Sequence, residues 1–123
     1  MRIPPRILIV DDEPMNLDIL QTRLSVHGYE ILTATNGEEA LEVATAQQPD
    51  LILLDITMPG ADGLVILRTL HEKYEKIRVV MMAAQADTPK ANAALNCGAS
   101  DYISKPVDLP TVKRTLQIHL GSA

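Results

Sequence analysis

Two apolar runs of this chain end on aspartates, and side chains arranged in this way can bind a metal ion. LILLD places Asp55 directly after Leu51–Leu54, and RILIVDDEP places Asp11 and Asp12 directly after Ile7–Val10. Carboxylates that meet within a few ångströms cannot all stay ionised without a cation, because their charges repel. Oxygen ligands suit Mg2+, which usually shares its coordination shell with a phosphate. The three histidines and one cysteine do not cluster along the chain, so zinc is not expected.

Lys105 adds a positive charge to these acids, and the combination fits phosphoryl transfer. Its ammonium group can contact a phosphoryl oxygen, and a metal ion would offset further charge as the group moves. Asp55 is the best candidate for the nucleophile, which would form an aspartyl-phosphate, and Asp12, with Asp11, would hold the metal. A lone aspartate at a strand end is more often a turn or a helix cap. Its occurrence together with the acidic pair and with Lys105-Pro106 favours the chemical interpretation.

Short apolar runs alternate five times with helical patterns, and each pair predicts one strand followed by one helix. The predicted strands are Ile7–Val10, Glu30–Ala34, Leu51–Leu54, Val79–Met82 and Tyr102–Ser104. The predicted helices are Pro14–His27, Asn36–Gln47, Asp62–Tyr74, Thr88–Asn96 and Asp108–Leu120. Asn36, Asp62, Thr88 and Asp108 are the expected N-caps, and Gly28 and Gly98 are the expected stops of the helices before them.

Strands that alternate with helices imply right-handed crossovers and a parallel sheet covered on both faces. The expected fold class is α/β: a doubly wound (βα)5 flavodoxin-like three-layer sandwich with a five-stranded parallel sheet of order 2-1-3-4-5. The functional crevice of such a sheet lies outside the carboxyl ends of the strands, where the strand order reverses. That order makes the first and third strands neighbours, so Asp11 and Asp12 should lie beside Asp55, with Lys105 in the same crevice.

Composition limits the function classes that need to be considered. The chain has 123 residues, a net charge of −5 and scattered basic residues, which argues against a nucleic-acid surface. Its one cysteine, Cys97, excludes an intrachain disulfide. The start does not resemble a signal peptide and no apolar window is long enough to span a membrane, so we expect a cytoplasmic protein that does not bind membranes. We expect residues 1–123 to form a single domain, and residues 121–123 could begin a linker.

Three segments, together with the βα order, resemble the receiver domain of bacterial two-component response regulators, the CheY-like family. The segments are DDEP at 11–14, LLDITMPGADG at 53–63 and GASDYISKP at 98–106. The resemblance implies that Asp55 is the phosphoacceptor and that Lys105 contacts the phosphoryl group. It also implies that Mg2+ is held by Asp11, Asp12, Asp55 and the backbone carbonyl of Thr57, and that a cis bond precedes Pro106. Pro59, Gly60 and Gly63 would shape the loop after the third strand.

One position departs from the family pattern. Receivers usually carry Thr or Ser at the end of the fourth strand, where VVMMAAQAD places Ala83. The missing hydroxyl removes a hydrogen bond to a charged acceptor, which is worth about 1.5–3 kcal/mol. In the family this hydroxyl draws the loop inward as an aromatic residue of the fifth strand, here Tyr102, rotates inward. With Ala83 that coupling should weaken or use another route.

The leading hypothesis is a phosphorylation-dependent signalling switch that accepts its phosphoryl group from a histidine kinase or a histidine phosphotransfer protein. The fourth helix, fifth strand and fifth helix would then bind a downstream protein, a fused output domain or a second copy of the chain. Such a domain catalyses only its own phosphorylation and dephosphorylation, so it is not a conventional enzyme.

Two other functions stay open at this point. The chain could be an atypical receiver that binds proteins without switching, because Ala83 replaces the usual hydroxyl. It could also be a phosphatase that forms an aspartyl-phosphate, as in haloacid-dehalogenase-like enzymes. Those enzymes place a general acid two residues after the nucleophile, where this chain has Thr57.

Overall fold

Five parallel strands form one sheet in the order β2-β1-β3-β4-β5, as predicted. The computed structural model describes residues 4–56, 63–84, 88–105 and 107–120. The strands are β1 Arg6–Val10, β2 Glu30–Ala34, β3 Leu51–Asp55, β4 Arg78–Ala84 and β5 Asp101–Lys105. The helices are α1 Pro14–Ser25, α2 Gly37–Gln47, α3 Gly63–Lys73, α4 Thr88–Asn96 and α5 Leu109–Leu120.

The sheet is covered on both faces, and successive strand residues supply the two cores in turn. Ile7 and Ile9 pack with α1 and α5, whereas Leu8 and Val10 pack with α2, α3 and α4. Side chains of a strand point alternately to opposite faces, so a strand buried on both sides must be apolar at every position. This explains why the apolar runs of the central strands are continuous, and it confirms the predicted three-layer sandwich.

Two of the four predicted N-caps are confirmed. The Asn36 side chain accepts a hydrogen bond of 2.8 Å from the backbone N–H of Glu39. Asp108 accepts one of 2.7 Å from the backbone N–H of Thr111, and hydrogen bonds from the Thr111 side chain and from this backbone N–H lower the pKa of Asp108. Both bonds satisfy amide groups that have no partner within the first turn of a helix.

The ends of α1 and α3 and the cap of α4 differ from the prediction. Helix α3 ends at Lys73 rather than at Tyr74. Helix α1 ends at Ser25 rather than at His27, because the chain tightens through a bond from His27 N–H to the Leu24 carbonyl before Gly28 at φ +89°. Thr88 is the first residue of α4 rather than its cap. The predicted cap Asp62 lies outside the described residues.

Gly63 places the start of α3 directly against the end of β3. A Cβ atom at Gly63 would lie 2.7 Å from the Cα atom of Ile56, which is too close for any side chain without a backbone shift. The glycine therefore allows α3 to begin immediately beside the strand that ends in Asp55. Of the helices that the structure describes, none has the length and apolar character needed to cross a membrane.

Candidate functional site

Three carboxylates meet at the carboxyl edge of the sheet. Asp11 follows the last residue of β1, Asp12 is next, and Asp55 is the last residue of β3, which pairs directly with β1. One oxygen from each side chain can be chosen so that all three lie within 4.8 Å of one another. Asp11 and Asp55 are 1% and 2% exposed, whereas Asp12 is exposed to solvent. The neighbouring position of the first and third strands thus brings the predicted acids together.

Lys105 reaches this cluster from the end of β5. Its Nζ atom lies 2.6 Å from Asp55 Oδ2 and 3.6 Å from Asp11 Oδ2. Burial lowers the pKa of Lys105, but the hydrogen bond to Asp55 and the charges of Asp55 and Asp11 outweigh that effect and raise it. The lysine is therefore a fixed positive charge that both buried carboxylates share.

Asp11 has two further donors besides the lysine. The backbone N–H of Glu13 donates to Asp11 Oδ1 at 3.0 Å, and Asn16 Nδ2 donates to Asp11 Oδ2 at 3.3 Å. No pattern in the amino-acid sequence indicated a role for Asn16. Its position in the sequence could have indicated it, because Pro14 begins α1 directly after the acidic pair and Asn16 lies in the first turn of that helix.

The residues at this edge fit a hard divalent cation. The cluster offers three carboxylates as oxygen ligands, and the Lys105 ammonium group contacts two of them. Two of these carboxylates are almost fully buried, where uncompensated charge is costly. Mg2+ prefers such ligands and keeps several waters, and the exposed Asp12 leaves room for them. Asp11, Asp12 and Asp55 could therefore hold Mg2+.

A pocket of about 460 Å3 opens beside the cluster. Ile19, Leu20, Met82 and Val107 form its apolar wall, and Asp11, Glu13, Asn16 and Lys105 complete its lining. The lining residues come from the segment between β1 and α1, from α1, from β4, from the end of β5, and from Val107. A group that enters it would thus stand next to the Lys105 ammonium and the acidic cluster.

The predicted switch residues, Ala83 and Tyr102, lie on the face of the sheet opposite to α1 and α5. Ala83 is 1% exposed and belongs to the core against α2, α3 and α4, and Tyr102 packs against that same core. Asp55 pairs with Met82, so Ala83 is one residue beyond the β4 partner of the candidate phosphoacceptor. The other site residues named from the sequence, Thr57, Pro59, Gly60 and Pro106, lie outside the described residues.

Comparison with known proteins finds similarity along almost the whole chain. Residues 7–117 match the family described as the response regulator receiver domain. The chain is 40% identical over 117 residues to the regulatory protein AtoC of Escherichia coli K12, covering 92% of this chain and 25% of that protein. It is 39% identical over 113 residues to the transcriptional regulatory protein AruR of Pseudomonas aeruginosa, covering 88% of this chain and 46% of AruR.

A solved structure agrees with the sequence matches. The BeF3-activated receiver domain of RstA from Klebsiella pneumoniae superposes with a TM-score of 0.86 at 30% identity, and the match covers 95% of this chain and 99% of that one. The chain spans less than half the length of the two regulators to which it was compared.

Proposed function

This chain belongs to the response regulator receiver domain family, and from that premise we propose that it is a signalling switch phosphorylated on Asp55. The observation that carries the proposal is the position of Asp55 at the end of β3. It is nearly buried, bound to Lys105 at 2.6 Å, and close to both Asp11 and Asp12. A carboxylate in such a place can act as a nucleophile while neighbouring charges offset those of an incoming phosphoryl group.

The proposed step transfers one phosphoryl group between two side chains. An oxygen of the Asp55 carboxylate forms a bond to phosphorus as the bond from phosphorus to the donor's imidazole nitrogen breaks, and the released imidazole takes up a proton. Lys105 would exchange its contact with Asp55 for one with a phosphoryl oxygen. Asp11 and Asp12, with Asp55 and the Thr57 carbonyl, would hold Mg2+, which when bound supplies positive charge to the phosphoryl oxygens. Hydrolysis of the aspartyl-phosphate resets the switch.

The proposed phosphodonor is a histidine kinase or a histidine phosphotransfer protein. Met15 and Ile19 are exposed apolar residues on α1, 73% and 49% accessible, and Ile19 also lines the pocket beside Lys105. An apolar surface next to the phosphoacceptor is suited to docking a partner whose side chain must reach Asp55. We therefore place the phosphodonor on α1 and at the entrance of the pocket.

The proposed output is a phosphorylation-dependent change on the face formed by α4, β5 and α5. A downstream protein, an output domain fused in a longer chain, or a second copy would bind there, and its preference for one state would drive the change. The matches to AtoC and AruR cover only part of those proteins, which supports a fused output domain. The net charge of −5 argues against direct contact between this domain and nucleic acid.

Intact mass spectrometry after incubation with acetyl phosphate and Mg2+ tests the proposal. The unchanged protein should gain the mass of one phosphoryl group, and Asp55→Asn should gain none. Asp18→Asn, at an exposed position on α1, is the matched control and should gain the same mass as the unchanged protein. Labelling that persists in Asp55→Asn, or that does not occur in the unchanged protein, would contradict the proposal.

Ala83 favours a second candidate, a receiver that binds a partner without switching. Beryllofluoride with Mg2+ distinguishes the two functions, because it imitates the phosphoryl group. Changes in amide chemical shifts that extend from the site to Tyr102 and α4 support the switch. Changes confined to residues around Asp55 support the binding module.

A further inference from the structure

Asp11 needs a partner that stays in place while the charges around it change. Its side chain is 1% exposed, so its position depends on the protein groups that contact it rather than on water. Its Oδ2 atom faces two donors, Lys105 Nζ at 3.6 Å and Asn16 Nδ2 at 3.3 Å. Lys105 lies a full ångström closer to Asp55 than to Asp11. Of the two donors that face Asp11 Oδ2, the lysine is thus the more distant one, and it is shared with Asp55.

Asn16 is held in place by helix α1, which is anchored in the core. It lies in the first turn of α1, behind Pro14, and its backbone N–H donates to the Glu13 carbonyl at 3.1 Å. The same helix is anchored in the core by Leu17 and Leu20. The Asn16 side-chain amide is neutral. It can therefore donate a hydrogen bond to Asp11 without neutralising the carboxylate charge that would attract a metal ion.

We propose that Asn16 is a positioning residue for the metal site, which orients the Asp11 carboxylate so that it remains available to Mg2+ when Lys105 turns to the phosphoryl group. This inference rests on the proposed function, in which Lys105 leaves its contacts with the carboxylates. Groups that hold a metal ligand in orientation from behind commonly change metal affinity by tenfold or more when they are removed. Asn16 touches neither the reacting oxygen of Asp55 nor the phosphoryl group.

The test is a Mg2+ titration of the unphosphorylated protein, followed by amide chemical shifts. Asn16→Leu has a similar size and no donor, and it should raise the dissociation constant for Mg2+ by about tenfold. Gln21→Leu makes the same kind of change at an exposed position on α1 and should leave the dissociation constant unchanged. Asn16→Gln keeps a donor and should restore part of the affinity, which a purely structural role would not do.

Asn16→Ala is a second variant without a donor, and it keeps the test valid if Asn16→Leu folds poorly. Alanine is the strongest helix former, so this variant should preserve α1. Thermal unfolding of both variants should match that of Gln21→Leu within the error of the measurement. A dissociation constant that is unchanged in Asn16→Leu and Asn16→Ala would overturn the inference. Equal loss in Asn16→Gln and Asn16→Leu would overturn the role of the donor. If the unchanged protein binds no Mg2+ or is not phosphorylated, the proposed function itself fails.

Discussion

At the scale of single residues, burial separates three aspartates that look alike in the sequence. Asp11 and Asp55 are buried and share Lys105, whereas Asp12 faces solvent. The predicted proximity of the acids is confirmed, and their roles in metal binding and phosphoryl transfer stay predictions. Asn16 was missed because an asparagine in the first turn of a helix usually serves the backbone, and only the three-dimensional structure places its amide on Asp11.

The raised pKa of Lys105 predicts a pH dependence of folding stability. An unfolded lysine loses its proton near pH 10.4, whereas the folded Lys105 keeps it to higher pH. The free energy that protonated Lys105 contributes to folding is therefore fully present below about pH 10.4. It is lost as the pH rises through the pKa of Lys105 in the folded protein. Urea unfolding in Mg2+-free buffer should show the free energy of unfolding falling over this range more steeply in the unchanged protein than in Lys105→Met. Lys73→Met, at an exposed site, should follow the unchanged protein, and parallel curves for all three would contradict the prediction.

Ala83→Thr should strengthen the coupling between the phosphoryl site and Tyr102. The threonine adds a hydroxyl that can donate to a charged phosphoryl oxygen, a bond worth about 1.5–3 kcal/mol. The beryllofluoride-induced shift of the Tyr102 amide, measured by NMR, should therefore increase.

Ala83→Val is the matched control, because valine has the shape of threonine without its hydroxyl. Both variants enlarge a position that is 1% exposed, so both carry a similar packing cost of about 1–3 kcal/mol. If the two variants shift the Tyr102 amide equally, packing rather than the hydroxyl controls the coupling.

At the scale of elements, the caps and the glycine at the head of α3 decide where the helices begin. Two side chains accept backbone hydrogen bonds at the start of α2: Asn36 accepts from Glu39 N–H at 2.8 Å, and Glu39 accepts from Thr35 N–H at 3.2 Å. Two of the amide groups at this turn are thereby satisfied. The cap was predictable because it depends on residues three apart, and such short-range geometry follows from the sequence.

Asn36→Ala should lower the free energy of unfolding by about 1 kcal/mol, since the cap is lost and no other group replaces it. Asn92→Ala, at an exposed position within α4, makes the same change away from a helix start and should not lower the free energy of unfolding, because alanine favours the helix interior. Urea denaturation measures both variants. Equal stabilities for the two would show that the Asn36 side chain does not stabilise α2.

At the scale of the whole molecule, the doubly wound sheet separates the chemical edge from the proposed output face. The acidic cluster lies at the carboxyl ends of β1 and β3, and the surface of α4, β5 and α5 lies at the β5 end of the sheet. Leu95 on α4 and Ile118 on α5 are exposed apolar residues, 39% and 66% accessible. They supply the apolar contacts that a proposed dimer through this face would use.

Ile118→Glu should weaken that dimer. Sedimentation of the beryllofluoride-bound protein should show self-association in the unchanged chain, and the variant should raise the dimer dissociation constant by on the order of tenfold, because an unpaired charge would be buried. Val26→Glu, directly after α1 at an 80% exposed site, is the control and should not change association. A protein that stays monomeric with beryllofluoride would contradict dimerisation through this face.

The amino-acid sequence by itself determined the order of the elements, the strand order, two of the helix caps and the placement of acids at the strand ends. The elements, the caps and the acids at the strand ends follow from short-range periodicity, and the strand order follows from the resemblance of the sequence motifs to receiver domains. Tertiary structure alone decided that Lys105 binds Asp55 more closely than Asp11, that Asp12 stays exposed, and that Asn16 supports Asp11. Such contacts join groups that are distant along the chain, 50 positions in the case of Lys105 and Asp55, and their ångström-scale distances depend on how the helices and strands pack rather than on any local pattern.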